Sequence, residues 1–214
     1  MLFRSRNRDY WRAEVVEVVG ASPVRVSPPC PFVEAGCGGC GWQHVEAAAQ
    51  LGFKVDMVRD ALARQGRLPD AVVRAGATVV PYGYRTTVRL GAGPDGRLGF
   101  RRAGAHDLVH VDDCAVAHPA LAELIPLARA GEQAEVTFRV SEATGERTAL
   151  ALAGDGRPVR LSGLPADVAV GPGAQITEVV AARSLRVSAA SFFQSSGTAA
   201  GLLVEVDRKS TRLN

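Results

Sequence analysis

The chain has 214 residues, 47% hydrophobic, 22% charged and 6% aromatic, with a formal net charge of +3. That length can bury a real core in one large domain or two small ones, and the composition excludes a disordered or collagen-like polymer. No apolar run approaches the roughly 18 residues of a membrane helix.

Arg4, Arg6, Arg8 and Arg12 are followed by no apolar stretch, so no secretory signal can be drawn. The reading therefore places the chain in the cytoplasm, with no membrane partner. Of the 25 basic residues, 23 are arginine. A GC-rich genome accounts for that bias as well as phosphate recognition does, and charge alone assigns no partner.

In chain order, residues 13–19 predict a strand, followed by a proline-rich loop and a cysteine-rich segment at 30–40. A helix is expected over residues 43–65, with Leu51, Val55, Val58 and Leu62 at helical spacing. The period then changes to alternation. Strands are expected at 72–80 and 84–90, the latter with Tyr84, Thr86, Val88 and Leu90 inward and Arg85, Thr87 and Arg89 outward. Gly93-Pro94-Asp95-Gly96 is a turn, and residues 97–102 return as the second strand of a hairpin. A strand at 108–111 leads to Cys114, and Pro119 opens a helix to about residue 130. A further hairpin joins 136–140 to 148–152, strands follow near 157–162 and 174–181, and a last helix covers 195–206. The fold class is α+β, mostly antiparallel.

The four cysteines, Cys30, Cys37, Cys40 and Cys114, are spaced C-x6-C-x2-C, then 73 residues, then C. A cytoplasmic chain keeps its thiols reduced, and the glycines of Cys37-Gly38-Gly39-Cys40 let the backbone curl two sulfurs toward one point. The pattern reads as a metal or iron–sulfur site, with a cluster, a zinc ion and four unrelated thiols all open. The spacing matches neither common ferredoxin run. Of the histidines His44, His106, His110 and His118, His44 beside the cysteines is the candidate extra ligand. Gly91-Ala92-Gly93-Pro94-Asp95-Gly96 fits G-x-G-x-x-G literally, but a turn and a strand follow instead of a helix, so it is no nucleotide site. In Ser191-Phe192-Phe193-Gln194 a core aromatic pair and a base-stacking aromatic with a ligand-reading amide are both consistent with the spacing.

Several of these pieces occur together in one order: Cys30-Pro31, Cys37-Gly38-Gly39-Cys40, Trp42-Gln43-His44, Gln50, Lys54, Tyr84-Arg85, Gly99-Phe100, Asp113-Cys114 and Phe192-Phe193-Gln194. Over about residues 10–206 they resemble the S-adenosylmethionine-dependent RNA (uracil-C5) methyltransferases, specifically the iron–sulfur branch that includes 23S ribosomal RNA methyltransferases. The resemblance implies a [4Fe–4S] cluster on Cys30, Cys37, Cys40 and Cys114. It implies an aromatic near the flipped base at Phe192 and an S-adenosylmethionine contact at Gln194. Two residues after that glutamine the family usually has asparagine or histidine, where Ser196 stands here.

The implied chemistry is methyl transfer to C5 of uridine, activated by a cysteine thiolate that adds to C6. No fifth cysteine is present, so no catalytic residue is assigned. The expected organisation is a remnant of an N-terminal RNA-binding β-barrel (1–22), a central iron–sulfur domain (23–188), the start of a Rossmann-like methyltransferase domain (189–207) and a foreign tail (208–214). The expectation that follows is a fragment, truncated at both ends and inactive by itself. Arg85, Arg89, Arg101 and Arg102 on the hairpin are the candidate RNA contacts, with ribosomal RNA as the partner. The rival readings are a noncatalytic iron–sulfur RNA-binding module, a transfer RNA methyltransferase and a zinc-stapled scaffold.

Overall fold

Alternating apolar residues in the middle of the chain build a six-stranded sheet in the computed structural model, which describes residues 2–6 and 11–211. Before it come β1 (Leu2–Arg6) and β2 (Trp11–Glu14), paired antiparallel, then the short α1 (Pro31–Glu34) and α2 (Ala47–Arg64). The sheet uses β3 (Thr87–Ala92), β4 (Leu98–Arg101), β5 (Leu108–His110), β7 (Glu135–Val140), β8 (Arg147–Leu152) and β10 (Val168–Val170). Their spatial order is β10-β8-β7-β3-β4-β5, antiparallel throughout except for the parallel β10–β8 edge. The short α3 (Pro119–Ala122) follows β5, and β6 (Arg129–Ala130) pairs with β9 (Leu161–Ser162). The hairpin of β11 (Gln175–Val180) and β12 (Arg183–Ser188) leads into α4 (Gly197–Thr211).

The core lies on one face of the sheet. Val88 and Leu90 of β3, Val136 and Phe138 of β7, and Ala149 and Ala151 of β8 are buried there. Phe138 pairs across the strands with Ala149, and Val136 with Ala151, so a small residue faces each larger one and the layer packs closely. Leu121, Leu124, Ile125 and Ala128 seal this face. The β7–β8 turn is fixed by Ser141, whose Oγ accepts the N–H groups of Ala143 and Thr144 at 3.1 Å. Among the described residues no helix is long and apolar enough to cross a membrane.

Several expected elements differ. The strand at 13–19 ends at Glu14, and Val15, Val16 and Val19 are exposed. Within the expected barrel remnant, β1 and β2 pair with each other. Residues 72–80 form no strand, because alternation there meets no neighbouring strand to bond. The helix expected from Pro119 to residue 130 stops at Ala122 and gives way to turns and β6. Helix α2 begins at Ala47 and buries none of its residues, so its periodic apolar stripe is left partly open to solvent. Helix α4 runs on to Thr211, past the expected end at residue 206, and residues 212–214 of the expected tail lie outside the described residues.

Candidate functional site

The cysteine segment is docked on the end of β4. The Gly38 N–H donates to the Arg101 carbonyl at 2.9 Å, and the Ala103 N–H to the Gly36 carbonyl at 3.0 Å. Arg102 Nη1 donates to the Ala35 carbonyl at 2.9 Å, and its guanidinium lies over Gly36, whose φ of +91° suits glycine. A side chain at Gly38 has no room: its Cβ would stand 2.9 Å from the Arg101 carbonyl oxygen and 3.0 Å from the Ala103 backbone. Cys30 is held separately, its N–H donating to Gln43 Oε1 at 3.2 Å. Gln43 is buried, and Gln50 fastens the same loop by donating to the carbonyls of Trp42 and Val45.

Cys114 arrives from the other side, one turn after β5. Its N–H donates to Asp113 Oδ1 at 2.6 Å. The following residues bond to the approach of β3: the Arg85 N–H donates to the Val116 carbonyl, and the His118 N–H to the Arg85 carbonyl, both at 2.8 Å.

Cys30, Cys37, Cys40 and Cys114 thereby line a single cavity, with about 470 Å³ of empty space partly open to solvent. Its apolar walls include Phe32, Val33, Val88 and Val111. All four thiols are free and half-buried. Burial pushes the Cys37 and Cys114 thiols up, and the neighbouring Cys40 and Cys30 add to the shift by charge repulsion. Among the described residues, no three His, Cys, Asp or Glu side chains converge as ligands of one metal ion. The donor set is soft sulfur in an apolar setting, which suits a thiolate-bound metal or cluster in kind. His44 is not among the lining residues, whereas Gln43 is. Gln43 stood in the sequence only as one letter of a motif.

The four hairpin arginines separate. Arg89 and Arg101 line a second, larger groove with His106, Gln133 and Glu135, enclosing about 1410 Å³ including open solvent. Arg89 pairs with Glu135 at 3.4 Å, and Arg101 Nη1 donates to the His106 carbonyl at 3.3 Å. Arg102 is engaged with Ala35. Arg85, expected to face outward, lines the cysteine cavity instead. Arg85 precedes β3, so the alternation that turns Thr87 and Arg89 away from the core does not extend to it.

Phe192 and Gln194 sit on a loop tied down at both ends. Arg139 Nη2 donates to the Ser191 carbonyl at 2.7 Å, and the Thr86 N–H to the Ser195 carbonyl at 2.8 Å. Phe192 is 86% exposed and Gln194 is exposed; neither lines the two cavities. The expected base-stacking and cofactor residues are thus presented outward, next to the residue that follows Arg85.

No protein-family model matches the chain. It is 42% identical over 144 residues to the 23S rRNA (uracil(1939)-C(5))-methyltransferase RlmD of Halomonas elongata, covering 63% of this chain and 29% of that protein. The corresponding RlmD of Methylococcus capsulatus is 40% identical over 123 residues, 55% of this chain and 28% of its own length. An uncharacterized RNA methyltransferase of Streptomyces coelicolor is 34% identical over 127 residues, 54% and 28%. The chain therefore spans under a third of the length of these relatives. In fold it is similar to the tRNA (uracil-54, C5)-methyltransferase of Pyrococcus abyssi in complex with S-adenosyl-L-homocysteine, with a TM-score of 0.59 at 19% identity over 95% of this chain and 56% of that one.

Proposed function

We propose that this chain, whose relatives are RNA (uracil-C5)-methyltransferases, is the cysteine-bearing part of an enzyme that methylates C5 of uridine in RNA, with 23S ribosomal RNA as substrate. The observation that carries the reading is the 42% identity to an enzyme so named, on a chain whose four thiols share one cavity.

In this reading Cys30, Cys37, Cys40 and Cys114 hold a [4Fe–4S] cluster. A single zinc ion needs four sulfurs about 2.3 Å from one centre. Four soft thiols bordering one apolar cavity suit such a cluster in kind. Held by Cys30, Cys37 and Cys40 on the 30–40 segment and by Cys114 beside the strand approach that carries Arg85, a cluster would be a structural tie, and Thr86 joins that approach to the loop of Phe192 and Gln194.

S-adenosylmethionine, when bound, supplies the methyl group. Gln194 is free in this structure to meet it with an amide, but no described cavity includes Gln194, so no step is routed through that contact. Phe192 offers an exposed ring on which an extruded base can stack. Arg89 and Arg101 in the larger groove meet RNA phosphates. With all four cysteines committed to the cavity, this chain supplies no thiolate to add to C6, and by itself it does not transfer the methyl group.

The test is RNA binding by the anaerobically purified chain across a salt series. Affinity is expected to fall steeply with salt, and Arg89→Ala with Arg101→Ala to reduce the log–log slope by about one or two. Binding that ignores salt or both substitutions removes the groove from the RNA interface. A transfer RNA substrate is the second reading, favoured by the fold likeness to a tRNA enzyme. Competition between 23S fragments and tRNA separates the two.

A further inference from the structure

The cysteine cavity contains a feature that the RNA reading does not use. Arg85 is the one cation among the described residues that line it, and Asp113 the one anion. The Arg85 Nε is fully shielded from solvent and has no hydrogen-bond partner, and Arg85 makes no ion pair among the described residues. A buried guanidinium N–H left unmatched is unfavourable, and a partner that accepts it is strongly preferred. Its backbone, by contrast, is clamped on both sides to the segment that carries Cys114. The side chain therefore springs from a fixed point beside the thiols and brings an unspent donor and a positive charge to them.

Four thiolates around a zinc ion or an iron–sulfur cluster leave the site with net negative charge, in surroundings that are otherwise apolar. Hydrogen bonds to ligand sulfurs and nearby charge set how tightly such a group is held and at what potential a cluster is reduced. We propose that Arg85 is the positioning and charge-compensating residue of the four-cysteine site, its buried Nε–H donating to a ligand sulfur once the thiolates are loaded. The inference rests on the four-thiolate reading above and removes Arg85 from the RNA face. It explains why a residue so close in sequence to Arg89 is turned the other way and left without a partner.

The experiment compares the full chain with Arg85→Gln and Arg85→Lys, each reconstituted anaerobically with iron and sulfide. Readouts are the half-life of the cluster absorbance under a chelator and the cluster midpoint potential. Thermal unfolding of the unloaded proteins checks that the fold is unchanged. Arg85→Gln is expected to shorten the half-life about 10- to 100-fold, the usual effect of losing an outer partner of a metal ligand, and to move the potential to more negative values. Arg85→Lys keeps the charge and is expected to restore the potential without restoring the full half-life. A loaded parent protein with Arg85→Gln indistinguishable from it in both readouts overturns the Arg85 assignment alone. A parent that takes up neither iron with sulfide nor zinc overturns the four-thiolate reading, and the Arg85 assignment with it. Loss of RNA affinity in Arg85→Gln with an unchanged cluster also overturns it, returning Arg85 to the RNA surface.

Discussion

Replacing Gly38 by alanine tests how the cysteine segment is held. The added Cβ would stand 2.9 Å from the Arg101 carbonyl oxygen, where ordinary contact begins at 3.4 Å, so the segment must lift by about half an ångström. The atoms in the way are backbone and cannot swing aside. Lifting stretches the Gly38–Arg101 and Ala103–Gly36 hydrogen bonds and the Arg102 contact to Ala35, each worth about 1 kcal/mol. The docked segment should lose about 2–3 kcal/mol, or roughly 30- to 150-fold in its undocking equilibrium. Gly41→Ala is the control, since nothing lies within 4 Å of its Cβ position. Hydrogen exchange at the backbone amide of residue 38 reads the undocking directly, and chelator resistance of the loaded protein reads its consequence for Cys37 and Cys40. Equal exchange and equal chelator resistance in the two variants would refute the argument that backbone contact with β4 aligns these cysteines.

Phe138→Ala removes the largest fully buried side chain among the described residues and should cost about 3–5 kcal/mol in urea unfolding, since its neighbours Ala149 and Val136 cannot collapse into the space. Glu142 Oε2 accepts the Thr198 N–H at 3.0 Å at the start of α4, so Glu142→Ala should lower stability by about 1 kcal/mol and fray that helix in hydrogen exchange. The Asp167 carboxyl is held below the usual carboxylate range by the Arg147 guanidinium, 2.5 Å away, which also pairs with Glu123. A depressed folded pKa means the stabilisation is present above the unfolded value of about 3.9 and is lost as pH falls through the folded one. Asp167→Asn should therefore be less stable than the parent at neutral pH, with the gap closing in strong acid; a gap that stays constant from neutral pH into strong acid would contradict this.

Legibility in the sequence tracked local signals. The β7–β8 hairpin is readable because alternation flanks Ser141-Glu142-Ala143-Thr144-Gly145, and Gly145 takes the positive φ of 73° that the turn needs. The β11–β12 hairpin carries no such mark: Ala181 and Ala182 turn with φ of 49° and 62°, where glycine or asparagine is usual, so nothing local announces β12. The short parallel strand β10 is equally silent, because its partner among the described residues, β8, lies about 20 residues earlier. The stripe on α2 reads correctly as helical, yet periodicity does not say whether a face is covered.

The four cysteines are legible as a group by type and spacing, but their shared cavity depends on the sheet bringing Cys114 across 73 residues. Gln43 and Arg85 join them through tertiary contacts alone. The direction of Arg85 differs from its expected outward one because the alternation belongs to β3, which begins only at Thr87.

The proposed function assigns this chain to uridine C5 methylation in ribosomal RNA. Nucleoside mass spectrometry of 23S ribosomal RNA and of transfer RNA, from cells with the gene intact and disrupted, tests it most directly. Disruption is expected to remove 5-methyluridine from one 23S site and to leave transfer RNA unchanged. Full 5-methyluridine in both RNAs of the disrupted strain would contradict it, and loss confined to transfer RNA would transfer the claim to that substrate.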